Sequence, residues 1–170
     1  MTAGRAVGRP HWTAFAVLVA LIVALDQATK TALVGALAPG ESAVILGDWV
    51  RLVHSPNSGG LFGMFRDSVA VFAVTSILVA AGIVWYHGRA GRSAYLTLAL
   101  GLLLGGAIGN LIDRVTRGYV VDFVDIGIGD IRWWTFNVAD SAISAAILLF
   151  LALAIRPSLA DPAGQTRVDG

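Results

Sequence analysis

The sequence predicts a mainly α membrane protein: a four-transmembrane-helix bundle with a small extracytoplasmic β-like cradle and an extracytoplasmic loop or helix closing over the same end. Three observations carry this expectation. Hydrophobic residues make up 56% of the chain and charged residues 14%, with a mean hydropathy of +0.76, whereas soluble domains carry roughly 25% charged residues. Apolar runs long enough to cross hydrocarbon recur along the chain. Between the last two runs, carboxylates and amides stand beside hydrocarbon: Asn110, Asp113, Asp122, Asp125, Asp130, Asn137 and Asp140. Ionisable groups in or beside membrane segments are costly, and their default reading is functional.

Composition also excludes several classes. The net charge of +1 and the lack of a basic stripe leave no surface for nucleic acid. With no cysteine there is no disulfide, thiolate zinc site or cysteine nucleophile. His11, His54 and His87 are far apart and none sits in an HExxH spacing. No metal and no organic cofactor are expected.

The whole chain, 1–170, reads as a single membrane-embedded domain. The first helix covers about 12–37; it imitates a secretory signal but lacks a small-x-small cleavage site, so it is read as uncleaved. Asp26 and Lys30 lie four apart on it in the favourable acidic-then-basic order, as a snorkelling pair near a helix end would. From 40 to 65 the texture turns β-like: AVILG (43–47) and WVRLVHS (49–55), then the turn-rich PNSGGLFG (56–63). Gly59, Gly60 and Gly63 would let an extended peptide approach the strand edge, or simply make a turn. The second helix, 69–86, would be about 27 Å long, and is followed by the basic loop HGRAGRS (87–93). The third, about 94–113, carries Gly101, Gly105, Gly106 and Gly109, which admit a closely packed neighbour. Residues 114–135 read as a loop with Trp133 and Trp134 at the headgroup level. The fourth helix covers 136–155, and a disordered tail is expected over 157–170.

An even number of spans puts both termini on one side. Arginine and lysine counts tie between the two faces, but the short 87–93 loop packs Arg89 and Arg92 closely, which favours cytoplasmic termini. Asp26, Asp113, Asp122 and Asp140 then gather at the outer face. Helices one, three and four deliver Asp26, Asp113 and Asp140 directly, and the 114–135 loop need only fold back for Asp122 to face Asp140. Two carboxylates sharing a partly desolvated site hold one proton between them, which makes an acid and a base in one place. Such a pair activates water against a peptide carbonyl without a covalent intermediate. Asn110 and Asn137 are neutral donors suited to support it. Linear spacing leaves Asp113 and Asp122 both eligible to partner Asp140, with Arg114 beside Asp113 poised for an ion pair or a lipid phosphate.

Rival readings are weaker. Gly127-Ile128-Gly129-Asp130 spells the GxGD of presenilin-type proteases but sits in a loop and reads as a glycine turn. Ser58 or Ser141 with Lys30 would make a serine protease, yet no GxSG occurs. A small proton-coupled transporter using the outer-face aspartates is the main alternative, against which stands the lack of any acid at the midplane of a span. A non-catalytic assembly factor would tolerate Asn at 122 and 140.

DQATK (26–30), NSGGLFG (57–63), GGAIGNLIDR (105–114), GYVVDF (118–123) and FNVADS (136–141) resemble, in order, the motif set of the lipoprotein signal peptidases, signal peptidase II. The resemblance implies an aspartic endopeptidase of the bacterial cytoplasmic (inner) membrane with its active site on the extracytoplasmic face. It would remove signal peptides from diacylglyceryl-modified prolipoproteins just before the lipidated cysteine. By the same resemblance Asp122 and Asp140 are the catalytic pair. Asp26, Lys30, Asn57, Gly59, Asn110, Asp113, Arg114 and Asn137 support it or contact substrate. Its partners would be lipid-modified prolipoproteins and membrane lipids, with the enzyme a monomer that needs no cofactor. The 40–65 cradle would hold the substrate peptide while the acyl chains lie in a lipid-facing groove between helices. NSGGLF departs from the family's usual NTGAAF: Ser58 keeps the hydroxyl, but Gly60 and Leu61 replace two alanines.

Overall fold

Apolar runs of this length satisfy every backbone hydrogen bond internally only as helices, and four helices form where hydropathy places them. The computed structural model describes residues 9–58, 69–91 and 93–160, with 69 and 70 by backbone alone. The helices are α1 (Trp12–Ala36), α2 (Val69–Ala90), α3 (Ala94–Arg117) and α4 (Val138–Ile155), each long and apolar enough to cross a membrane. The expectations for Gly59, Gly60, Leu61, Gly63 and Arg92, and for the tail from 161 onward, lie outside the described residues.

Helix α3 is the centre of the bundle. It packs against the other three, and 56% of its most apolar stretch is buried in protein, against 11–17% for the others. Its glycines make this possible. A Cβ on Gly106 would lie 2.5 Å from the Ala139 carbonyl oxygen, and one on Gly109 would lie 2.6 Å from Asp26 Oδ2. Phe15, Ile83, Leu96, Leu100 and Leu104 form the apolar core between α1, α2 and α3. At that end the His11 amide donates to Gly91 O (2.9 Å) and Ser93 Oγ donates to Leu159 O (3.0 Å). The described beginning and end of the chain therefore sit together at the α2–α3 turn.

At the other end lies a four-stranded antiparallel sheet in the order β1 (Ser42–Leu46), β2 (Val50–Asn57), β3 (Val120–Ile128), β4 (Ile131–Arg132). The β-like cradle is thus present in β1 and β2, but the expected 114–135 loop is not a loop. Helix α3 continues to Arg117, ends on Gly118 with φ of 78°, and leads into β3, which pairs with β2. The Val120-Val121-Asp122-Phe123 stretch is buried on both sides, so it lacks the alternation that marks a half-exposed strand. Val121 and Phe123 pack on Leu33 near the end of α1, which seats the sheet on the bundle.

Smaller boundaries also shift. Helix α2 runs to Ala90 rather than 86, and α4 starts at Val138, because Asn137 caps it and Phe136 bridges to Val124 of β3. Pro157–Ala160 is a 3-10 turn held by Ser93, not the start of a disordered tail. Gly127–Asp130 contains the β3–β4 turn, with Gly129 at φ of 57° and Asp130 exposed, as the glycine-turn reading required.

Candidate active site

Asp140 enters the site through helix capping. Asn137 is the N-cap of α4: its Oδ1 accepts the Asp140 N–H at 2.9 Å, and Asp140 Oδ2 accepts the Asn137 N–H at 3.2 Å. This reciprocal box fixes the Asp140 carboxylate in the first turn of α4, where helix dipole and free N–H groups suit an anion. Because Asn137 Oδ1 is engaged by a backbone donor, its Nδ2 must point the other way, and there it donates to Asp122 Oδ1 at 2.8 Å. A single asparagine therefore binds both aspartates.

Asp122 comes from β3, where its register partner on β2 is Ser55. Asn57, two residues along β2, donates Nδ2 to Asp122 Oδ2 at 2.9 Å. Both oxygens of Asp122 are thus held by amides, and the residue is 3% exposed. Burial pushes its carboxyl up to about 6; the Asn57 hydrogen bond pulls it down, the nearby Asp140 charge pushes it up, and Asn137 and Lys30 pull it down.

Asn110, on α3, completes the frame. Its Oδ1 accepts from the Lys30 ammonium at 3.0 Å, which fixes the amide orientation, and its Nδ2 donates to Asp140 Oδ1 at 2.8 Å.

Beneath this frame lies an ionic cluster that also comes from the predicted residues, though not in the predicted way. Asp26 and Lys30 are 0% exposed, so they do not snorkel. Lys30 Nζ lies 2.8 Å from Asp26 Oδ2 and 2.9 Å from Asp113 Oδ2. Asp113 also binds Arg117, one turn on, and accepts the Val121 N–H at 3.0 Å. Arg114 is not its partner, because helical geometry turns the i+4 residue, not the neighbour, onto the Asp113 face. Arg114 Nη1 donates to the Asn110 carbonyl at 3.3 Å and its guanidinium lies 5.2 Å from the Phe72 ring. Sequence reasoning missed Gln27 and Arg117. Gln27 Nε2 reaches Asp26 Oδ2 (3.1 Å), Gly109 O (3.1 Å) and Asp113 Oδ1 (3.3 Å). The i, i+4 spacing of Asp113 and Arg117 was the available signal.

The rivals lose their parts. Lys30 is committed to Asp26, Asp113 and Asn110, and Ser141 Oγ donates to the Asn137 carbonyl at 2.9 Å, so no Ser–Lys pair forms between them. What remains is a carboxylate pair bridged by amides, one member buried and readily protonated, at the end of an apolar bundle. That is an acid–base arrangement suited to activating water.

Fold and site together define a polytopic membrane protein with a paired-carboxylate centre. The sequence comparisons specify which: the chain belongs to the signal peptidase II family, whose model, described as Signal peptidase (SPase) II, matches residues 18–156. The lipoprotein signal peptidase of Desulforapulum autotrophicum is 39% identical over 137 residues, covering 77% of this chain and 85% of that protein. That of Geobacillus thermodenitrificans is 40% identical over 133 residues (78% and 83%), and that of Mycobacterium leprae 37% over 159 residues (89% and 76%). Two solved structures described as bacterial membrane enzymes, obtained by the in meso method, share the fold. The one at 2.3 Å resolution has a TM-score of 0.82 at 23% identity, covering 96% of this chain and 98% of its own. The other, at 1.9 Å, has a TM-score of 0.81 at 25% identity, covering 88% and 97%.

Proposed function

We propose that this protein is an aspartic endopeptidase that removes signal peptides from diacylglyceryl-modified prolipoproteins, cutting just before the lipidated cysteine, with Asp122 and Asp140 as the catalytic pair. The observation that carries this is the Asn137 side chain, which binds Asp122 through Nδ2 and the Asp140 N–H through Oδ1. Asp122, buried and pushed up to about 6, is the proton donor to the scissile carbonyl. Asp140, among N–H donors in the first turn of α4, is the base that takes a proton from water. The tetrahedral diol then collapses as the proton passes to the leaving amine. Asp113 is unsuited to either task, since Lys30, Arg117, Gln27 and the Val121 N–H occupy its oxygens. A proton-coupled transporter, the alternative from sequence, finds no support in the family.

The enzyme works as a monomer in the bacterial inner membrane, with both termini cytoplasmic and the site facing outward. Arg89 in the last turn of α2, beside the short α2–α3 turn, supports this orientation. Asn57 and Arg114 border the site from the sheet and from α3, where substrate peptide and lipid would approach. Gly59 keeps its substrate-side role on the family motif alone.

Cleavage of a diacylglyceryl-modified prolipoprotein by purified wild type, Asp122→Asn, Asp140→Asn and Asp113→Asn tests the assignment, with folding checked for each. The first two variants should fold and leave substrate uncut, while Asp113→Asn, which weakens a supporting contact without removing the acid or the base, cleaves more slowly but still cleaves. Cleavage by Asp122→Asn with none by Asp113→Asn would transfer the role to Asp113.

A further inference from the structure

The ionic cluster below the pair does more than neutralise itself. The Lys30 ammonium has three protons and three acceptors: Asp26 Oδ2 at 2.8 Å, Asp113 Oδ2 at 2.9 Å and Asn110 Oδ1 at 3.0 Å. Each acceptor passes the connection on to the catalytic pair. Asp26 Oδ1 accepts the N–H of Ala139, the residue before Asp140, at 2.9 Å. Asp113 Oδ2 accepts the N–H of Val121, the residue before Asp122, at 3.0 Å. Asn110 Nδ2 holds Asp140 Oδ1 itself. Ala139 and Val121 are both 0% exposed, so no water competes for either N–H.

Neither N–H is satisfied within its own element: the Asn137 cap takes the Asp140 N–H and leaves that of Ala139, and the Val121 N–H goes to Asp113 while its register partner on β2 is Pro56. What the carboxylates add is a common reference for two segments far apart in the chain. The cluster is also balanced, with Asp26 and Asp113 against Lys30 and Arg117. We propose that Lys30 is a positioning residue: by joining Asp26 to Asp113 it fixes the backbone ahead of Asp140 relative to the backbone ahead of Asp122, and so sets the separation of the two carboxylates. The inference rests on the reading of Asp122 and Asp140 as the catalytic pair.

Removing the ammonium alone leaves two buried carboxylates facing one guanidinium, a change that damages the fold whatever Lys30 does for catalysis. The decisive variant is therefore Asp26→Asn/Lys30→Met, which restores charge balance by leaving Asp113 with Arg117 but breaks the link. Full-length wild type, Lys30→Met and the double variant are purified in detergent and compared for Tm, kcat and KM on a diacylglyceryl-modified prolipoprotein. The double variant should regain most of the Tm lost by Lys30→Met, yet turn over at least ~10-fold more slowly than wild type with KM unchanged, as expected when transition-state geometry alone is lost. Recovery of kcat along with Tm overturns the proposal. So does a rise in KM with kcat preserved, which would make Lys30 a substrate contact, or failure of the double variant to fold, which would confine Lys30 to the fold. Asp122→Asn and Asp140→Asn run alongside: if they still cleave, the catalytic reading itself has failed, separately from the positioning role.

Discussion

Removing the Asn57 amide should move the alkaline limb of cleavage to higher pH. Asn57 Nδ2 donates to Asp122 Oδ2 at 2.9 Å and so stabilises the ionised form. Asp122 stands at about 6 with that bond in place. Without the donor the carboxylate is less favoured, the proton is held more tightly, and the acid form persists further into the alkaline range. A hydrogen bond to a charged group contributes about 1.5–3 kcal/mol. Asn57 lies at an exposed strand end where water can take its place, so the low end applies and the shift is about one pH unit. The assay is the pH dependence of kcat/KM for Asn57→Ala and wild type on the same prolipoprotein, with folding followed across the range. An alkaline limb that stays put would show that Asp122 is not the group titrating there; a limb that moves down would mean that Asn57 stabilises the protonated acid.

Three other outcomes follow from the same geometry. Gly106→Ala places a Cβ 2.5 Å from the Ala139 carbonyl, a backbone atom that yields only if α3 and α4 part; this should cost about 1–3 kcal/mol and most of the activity, whereas Gly82→Ala, with nothing within 4 Å, should leave both Tm and turnover near wild type. Asp122 is raised from 3.8 to about 6, so the folded protein keeps a proton that the unfolded chain loses in that window. Its stability therefore falls as pH climbs through the window, by up to about 3 kcal/mol, and Asp122→Asn should flatten this part of the Tm-versus-pH curve; an unchanged slope would assign it to another group. Because the chain has no cysteine, Asp130→Cys on the β3–β4 turn and Ser158→Cys beyond α4 each carry a unique thiol. A membrane-impermeant maleimide added to intact cells should label the first alone, and the opposite pattern would invert the topology.

Hydropathy placed all four helices because a span is a local property: about twenty apolar residues are helical in hydrocarbon whatever surrounds them. The ends were less legible. Helix α3 outruns its apolar stretch because Arg114 and Arg117, which read as the start of a loop, are accommodated by partners on α1 and α3 and by an aromatic ring on α2. Strand β3 was hidden for a related reason, since its ladder partner β2 precedes it by a whole helical hairpin. The glycine spacing in α3 announced close packing correctly, but not that Gly106 would meet Ala139 or that Gly109 would make room for Asp26.

The sequence by itself determined the membrane class, the four spans and, through five ordered motifs, the family and most of the polar residues around the site, Gln27 and Arg117 excepted. Only the tertiary structure decided how those residues divide. Asp113 and Asp122 are equivalent on paper, both acids within reach of Asp140. In the fold, Lys30 and Arg117 bind Asp113, while Asn57 and Asn137 bind Asp122. The physical reason is that a buried carboxylate is defined by its partners: the oxygens of Asp113 are occupied by cations and a backbone N–H, whereas Asp122 has only amides for hydrogen-bond partners, and burial raises it to about 6 although those amides pull the other way. Those partners come from α1, β2, α3 and the α4 cap, which meet only when the chain is folded.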